Sequence, residues 1–216
     1  MTKNSFIKFM LEVGVLTIGE FVTKSGRLSP YFINTGNYST GAELSTLGKA
    51  YARQIKEICG SNFDALFGPA YKGIPLVTAV ATALYTEYGI DKPLFFNRKE
   101  IKDHGEGGNL IGYKPKQGDR VIIVEDVITA GTALRESMAI LQSHNVKIKD
   151  MFISVDRSEK GQGNVTAVTE AKEAFGINIH SIVTVRDIYN YIAERPEYQE
   201  IAEKMRNYMN TYCIFG

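Results

Sequence analysis

Hydrophobic positions along the chain fall into two spacings. Near the N-terminus, Phe6, Phe9, Met10 and Val13 recur at i, i+3, i+4 and i+7, the stripe of an amphipathic helix. From residue 63 onward, short apolar runs alternate with longer helical segments. "FDALF" (63–67), "PLFFN" (93–97), "RVIIVED" (120–126), "KDMFISVDR" (149–157) and "IHSIVTV" (179–185) predict strands from their Val, Ile and Phe content. The helical segments "IPLVTAVATALYTEYG", "ALRESMAILQSH" and "AVTEAKEAFG" lie between them. Strands separated by helices predict an α/β fold, with a central parallel sheet flanked by helices on both faces. No internal repeat, low-complexity tract or linker divides the chain, so a single domain is expected over residues 1–216.

Composition narrows the function classes. Against 24 Asp and Glu stand 25 Lys and Arg, a net charge of +1, so no global field recruits nucleic acid or an anionic membrane. An anion site must therefore be local. Cys59 and Cys213 follow neither a metal spacing nor a disulfide framework, which suits a reducing compartment. Lys8 and Glu12 break the N-terminal apolar run before it reaches signal-peptide length, and no stretch approaches bilayer length. A cytoplasmic protein with neither nucleic acid nor membrane as partner is the expectation.

The candidate chemistry lies at "VIIVEDVITAGT", residues 121–132, where a strand runs into a loop and then a helix. Ligands of such sheets bind beyond the carboxyl ends of the strands. Backbone N–H groups of Thr129 to Thr132 and the start of the next helix form a cradle suited to a phosphate monoester, and Gly131 permits close approach. The hydroxyls of Thr129 and Thr132 can donate to phosphate, whereas Glu125 and Asp126, expected as carboxylates, only accept and must face something else. Vicinal sugar hydroxyls are good partners for two carboxylates, so the pair of sites describes a ribose 5-phosphate. Two other phosphate motifs are excluded: "GEGGNLIG" lacks the third glycine of a dinucleotide fingerprint, and Gly107 to Gly112 has Walker spacing but is followed by Tyr113 rather than Lys.

"VIIVEDVITAGT" resembles the phosphoribosyl-diphosphate signature of type I phosphoribosyltransferases, with Glu125 where many members carry Asp. "KSGRLSPYFINTG" (24–36), "FGPAYKGIPL" (67–76), "FNRKEIKDHGEGGNLIG" (96–112) and "SVDRSEKGQG" (154–163) resemble in order the segments of the orotate phosphoribosyltransferase family. The resemblance implies the type I phosphoribosyltransferase fold, with a small hood from about residues 1–40 and a flexible lid over 98–112. It implies transfer of ribose 5-phosphate from phosphoribosyl diphosphate (PRPP) to N1 of orotate, giving orotidine 5′-monophosphate and diphosphate in pyrimidine biosynthesis. Mg²⁺, held mainly by PRPP and not by protein side chains, is the implied cofactor.

The implied site is shared among several segments. Tyr71, Lys72, Arg98, Lys99, Lys102 and His104 would face the diphosphate, and Glu125, Asp126, Val127, Ile128, Thr129, Ala130, Gly131, Thr132 and Ala133 the ribose phosphate. Lys102 and Asp126 are the implied catalytic residues. Orotate is a planar anion, and Arg157 is the guanidinium suited to its carboxylate, with Lys24, Phe32, Ile33 and Thr129 around the base. Without the resemblance, Arg157 would be read as an ordinary ion pair with Asp156 or Glu159. Ile33, where close relatives often carry Phe, would contact the base through its backbone. A homodimer is implied, the lid of one subunit closing on the other's site. A phosphoribosyltransferase using a purine base, or a non-catalytic sensor of PRPP, are the competing readings.

Overall fold

The computed structural model describes residues 1–23, 26–99, 109–128, 131–160 and 165–215. Helix α1 (Lys3–Glu12) opens the chain, capped by Thr2 and Ser5, and buries Phe6, Ile7 and Met10. Strands β1 (Leu16–Val22) and β2 (Leu28–Ile33) pair as a separate antiparallel hairpin, and a 3-10 turn follows at Thr35–Asn37. The other elements are α2 (Gly41–Cys59), β3 (Ala65–Gly68), α3 (Gly73–Tyr88), β4 (Leu94–Asn97), β5 (Leu110–Gly112), β6 (Arg120–Val124), α4 (Thr132–Ser143), β7 (Lys147–Asp156), α5 (Ala167–Phe175), β8 (Asn178–Thr184), α6 (Val185–Ala193) and α7 (Gln199–Tyr212). Among the described residues no helix is long and apolar enough to cross a membrane.

The central sheet has the order β5-β4-β3-β6-β7-β8. Its pairs are parallel except at one edge, where β5 runs antiparallel to β4. The hydrophobic pattern predicts a parallel sheet and misses β5, because Leu110 and Ile111 are too short an apolar run to register. Of the segment 98–112 that the resemblance implies as a lid, Leu110–Gly112 is paired sheet. Gly112 belongs to that pairing, since at φ +90° a Cβ there would come within 2.6 Å of the Leu94 carbonyl oxygen.

Alternation along the inner strands splits the core into two layers. Leu66, Ile122, Val124 and Phe152 face one side, where the core also takes in residues of α1, α2, α3, α6 and α7. Ala65, Phe67, Val121, Ile123, Met151 and Ile153 face the other, packed with Leu134, Met138 and Leu141 of α4 and Ala171 of α5. Helices α3 and α4, which follow the neighbouring strands β3 and β6, thus leave on opposite faces. Their divergence opens a crevice at the carboxyl ends of those strands. Two close approaches set its walls: a Cβ on Gly68 would meet Gly73 O at 2.2 Å, and one on Gly48 of α2 would meet Ala79 O of α3 at 2.5 Å.

Candidate active site at the carboxyl edge of the sheet

Strand β6 ends at Val124, so Glu125 and Asp126 lie just past it and not within the strand that the pattern predicts. Their backbone is held from several sides. Glu125 N–H donates to Phe152 O at 3.0 Å, Ser154 N–H donates to Asp126 O at 2.9 Å and the Ser154 hydroxyl to the same oxygen at 2.7 Å. The Tyr51 hydroxyl, from α2, donates to Glu125 O at 2.8 Å. The adjacent Val127 bridges to Val155.

The two acids sit in different surroundings. Asp126 Oδ1 accepts its neighbour's Val127 N–H at 2.7 Å, and Oδ2 lies 3.3 Å from Lys72 Nζ and accepts a short hydrogen bond from the Thr35 hydroxyl. Thr35 Oγ1 in turn accepts from Lys72 Nζ at 3.1 Å. Glu125 is buried, with Oε1 accepting Asp126 N–H at 3.0 Å. Burial first, and then the negative charge of Asp126, push its carboxyl up to about 8. This corrects the expectation of two carboxylates that only accept: at neutral pH Glu125 is mostly a neutral acid, able to donate. The sequence pairs two acids, and desolvation of one separates them.

A second group of predicted residues gathers beside this pair. Lys72 stands at the start of α3 and Tyr71 is exposed before it, after a cis Ala70–Tyr71 peptide. The end of β4 is tied to this loop by Ala70 N–H donating to Asn97 Oδ1 at 2.9 Å. Lys99 Nζ lies 5.5 Å from the centre of the Tyr71 ring, so Tyr71, Lys72, Arg98 and Lys99 share one edge. Past Asp126, Val127 and Ile128 turn their side chains into the two core layers, leaving only their backbone to face a ligand. Gly131 takes φ +68°, and Thr132 and Ala133 begin α4. Lys24, Lys102, His104, Thr129 and Ala130 lie outside the described residues.

Arg157 lies just past β7, and its surroundings are more than the ordinary surface pair. Its Nε and Nη2 both donate to Glu159 Oε1, at 3.0 and 2.7 Å, and its guanidinium lies 5.1 Å from the centre of the Tyr31 ring. Asp156 is occupied by the Ser158 N–H at 2.7 Å. On β2, next to Tyr31, Phe32 is exposed and rests its ring against Phe21, whereas Ile33 packs its side chain toward the core.

Several members of this arrangement escape the sequence reading: Thr35, Tyr51, Ser154 and Tyr31, whereas Glu159 is one of the two partners it offers Arg157. Thr35 lies inside the predicted hood, in a stretch, "INTGNY", that offers no periodicity to mark it. A cavity of about 180 Å³ lies against Asp126, Lys72 and Thr35 and is backed by Tyr38, Tyr51 and Ser154. A larger one, about 500 Å³, lies at the opposite end of the sheet by Arg120 and Lys147 and contains none of the predicted residues. Among the described residues no group of three His, Cys, Asp or Glu could hold a metal ion. With Asp126 already facing Lys72, the acidic pair fits a cation carried in by a substrate's own oxygens better than one caged by side chains.

Residues 35–187 match the phosphoribosyl transferase domain. Over 213 residues the chain is 52% identical to the orotate phosphoribosyltransferase of Clostridium acetobutylicum, covering 97% of this chain and 95% of that one. The chain belongs to the orotate phosphoribosyltransferase family. The orotate phosphoribosyltransferase of Mannheimia succiniciproducens is 48% identical over 98% of both chains. The crystal structure of orotate phosphoribosyltransferase from Francisella tularensis superposes with a TM-score of 0.87 at 39% identity, over 97% of this chain and all of that one. The domain match spans every element that builds the crevice, from Thr35 to the end of β8, and the fold is that of the type I phosphoribosyltransferases.

Proposed function

We propose that the chain is an orotate phosphoribosyltransferase acting in the cytoplasm, transferring ribose 5-phosphate from PRPP to N1 of orotate in pyrimidine biosynthesis. The observation that carries this reading is the meeting of Lys72 and Asp126 at adjacent strand ends, 3.3 Å apart and bridged by Thr35. Such a site offers a cation for a departing diphosphate beside a carboxylate for a positively charged sugar ring.

Bond cleavage at the anomeric carbon passes through an oxocarbenium-like state, so catalysis is positioning plus charge stabilisation at both ends of the breaking bond. Asp126 accepts from the ribose hydroxyls and faces the developing positive charge. Glu125, neutral at pH 7, adds a donor to the same diol. Lys72 exchanges its contact with Asp126 for the diphosphate, joined there by Tyr71, Arg98 and Lys99. Mg²⁺ would be carried in on the substrate's own oxygens beside Asp126 and would supply neutralising charge at the leaving group. The backbone from Val127 through Gly131 to Ala133 cradles the 5′-phosphate at the start of α4. Arg157 receives the orotate carboxylate, with Lys24, Phe32, the Ile33 backbone and Thr129 around the base. The enzyme works as a homodimer in which Lys102 and His104 reach across to the partner's site.

The reading is tested by following orotate absorbance with purified protein, PRPP and Mg²⁺, offering uracil and hypoxanthine in parallel. Consumption of orotate alone supports it. Turnover of hypoxanthine, or no turnover of orotate, overturns it.

A further inference from the structure

Arg157 is built into a mount that draws on distant parts of the chain. One oxygen, Glu159 Oε1, accepts from Arg157 Nε at 3.0 Å and Nη2 at 2.7 Å, from the Tyr31 hydroxyl at 3.0 Å and from the Tyr208 hydroxyl at 2.8 Å. The donors come from β2, from the turn after β7 and from α7. The C-terminal segment also holds the backbone: Ile214 N–H donates to Ser158 O at 2.9 Å, Glu159 bridges to Cys213, and the Cys213 thiol lies 3.6 Å from Arg157 O.

Two constraints then define the pose of the guanidinium. The guanidinium lies over the Tyr31 ring, 5.1 Å from its centre, so its plane is supported from one side. The fork to Glu159 sets its rotation within that plane, because it engages the edge formed by Nε and Nη2. The Nη1–Nη2 edge remains, and its parallel N–H bonds match a planar carboxylate. Arg157 and Glu159 are both mostly buried, with side-chain exposures of 18% and 19%, so displacing Glu159 would strand a charge away from water. Glu159 therefore stays in place when an anion arrives.

We propose that Glu159, held by Tyr31 and by Tyr208 of the C-terminal helix, is a positioning residue for base selection: it presents the free edge of Arg157 to the substrate carboxylate. This rests on the reading of Arg157 as the residue that receives that carboxylate.

Steady-state kinetics on the full chain test it with Glu159→Gln, Tyr208→Phe, Arg157→Ala and the two doubles that combine Arg157→Ala with each of the others. Glu159→Gln keeps the shape of the acceptor and removes its charge, and should raise KM for orotate about tenfold. Tyr208→Phe removes one of the donors to Glu159 Oε1 and should raise it about threefold. KM for PRPP stays within about twofold in both. In the Arg157→Ala background neither change weakens orotate further, since the mount has nothing left to position. If Glu159→Gln does not fold, Tyr208→Phe decides alone. Equal weakening of both substrates, or effects that persist without Arg157, would show a structural role and overturn the proposal. A large Arg157→Ala effect on orotate with none from the other variants overturns the proposal alone. Wild-type KM for orotate in Arg157→Ala removes the reading of Arg157 and the proposal with it.

Discussion

Glu125 and Asp126 are adjacent acids on one loop, yet the fold gives them different charge states. Glu125 has lost most of its water, and the neighbouring negative charge adds to the cost of ionising it. Its carboxyl stands at about 8 against an ordinary 4.5, so the folded protein favours the protonated form. The stability this contributes is fully present below about 4.5 and is lost as pH rises through about 8. Glu125→Gln is neutral at every pH and escapes that loss. The variant should therefore gain on the wild type between pH 5 and 8 by up to about 1.4 kcal/mol per pH unit, measured by denaturant unfolding at several pH values. A constant difference across that range would mean that Glu125 ionises as an ordinary carboxyl.

Helices α2 and α3 owe their close approach to Gly48, whose missing Cβ leaves room for the Ala79 carbonyl. Gly48→Ala puts an atom within 2.5 Å of that backbone oxygen, so one helix must shift, at a cost of about 1–3 kcal/mol. Gly41, at the first turn of α2 with nothing within 4 Å of its Cβ position, is the control. Gly41→Ala should be neutral or stabilising by up to about 1 kcal/mol in the same unfolding experiment. Equal losses from both would place the effect in helix propensity and not in packing. The elements with strong periodicity, α1, α3 to α5 and the inner strands, are legible in the sequence because burial on one or both faces writes itself into the pattern. β5 is not legible, since three residues at a sheet edge carry too little pattern. At the site, the acids and the Gly131 loop stand out because they sit at a strand–helix junction, where composition changes abruptly, while Lys72 enters through the resemblance. Thr35 and Tyr208 do not stand out, because what defines them is contact across 91 and 49 positions of sequence separation, and no local pattern records that.

For the molecule as a whole, the proposed homodimer makes the two halves of the site separable. Lys102→Ala damages the lid and Asp126→Asn the pocket, and each homodimer should be nearly inactive. Mixing them with subunit exchange yields heterodimers with one doubly damaged and one intact site, so roughly a quarter of all sites should recover wild-type activity. Exchange confirmed by mass without any return of activity would place the lid in its own subunit's site. The stem beneath that segment has a consequence of another kind. Arg98 N–H donates to Asn109 O at 2.7 Å, and β4 and β5 pair directly below, so the chain leaves and re-enters the sheet at nearly the same point. Residues 100–108 therefore join ends that are already fastened together. Closing a longer connection between fixed ends costs only about 0.6 kcal/mol per doubling of its length. The number of residues in this connection is thus nearly uncoupled from the stability of the sheet, and insertions there are free to be judged by catalysis alone.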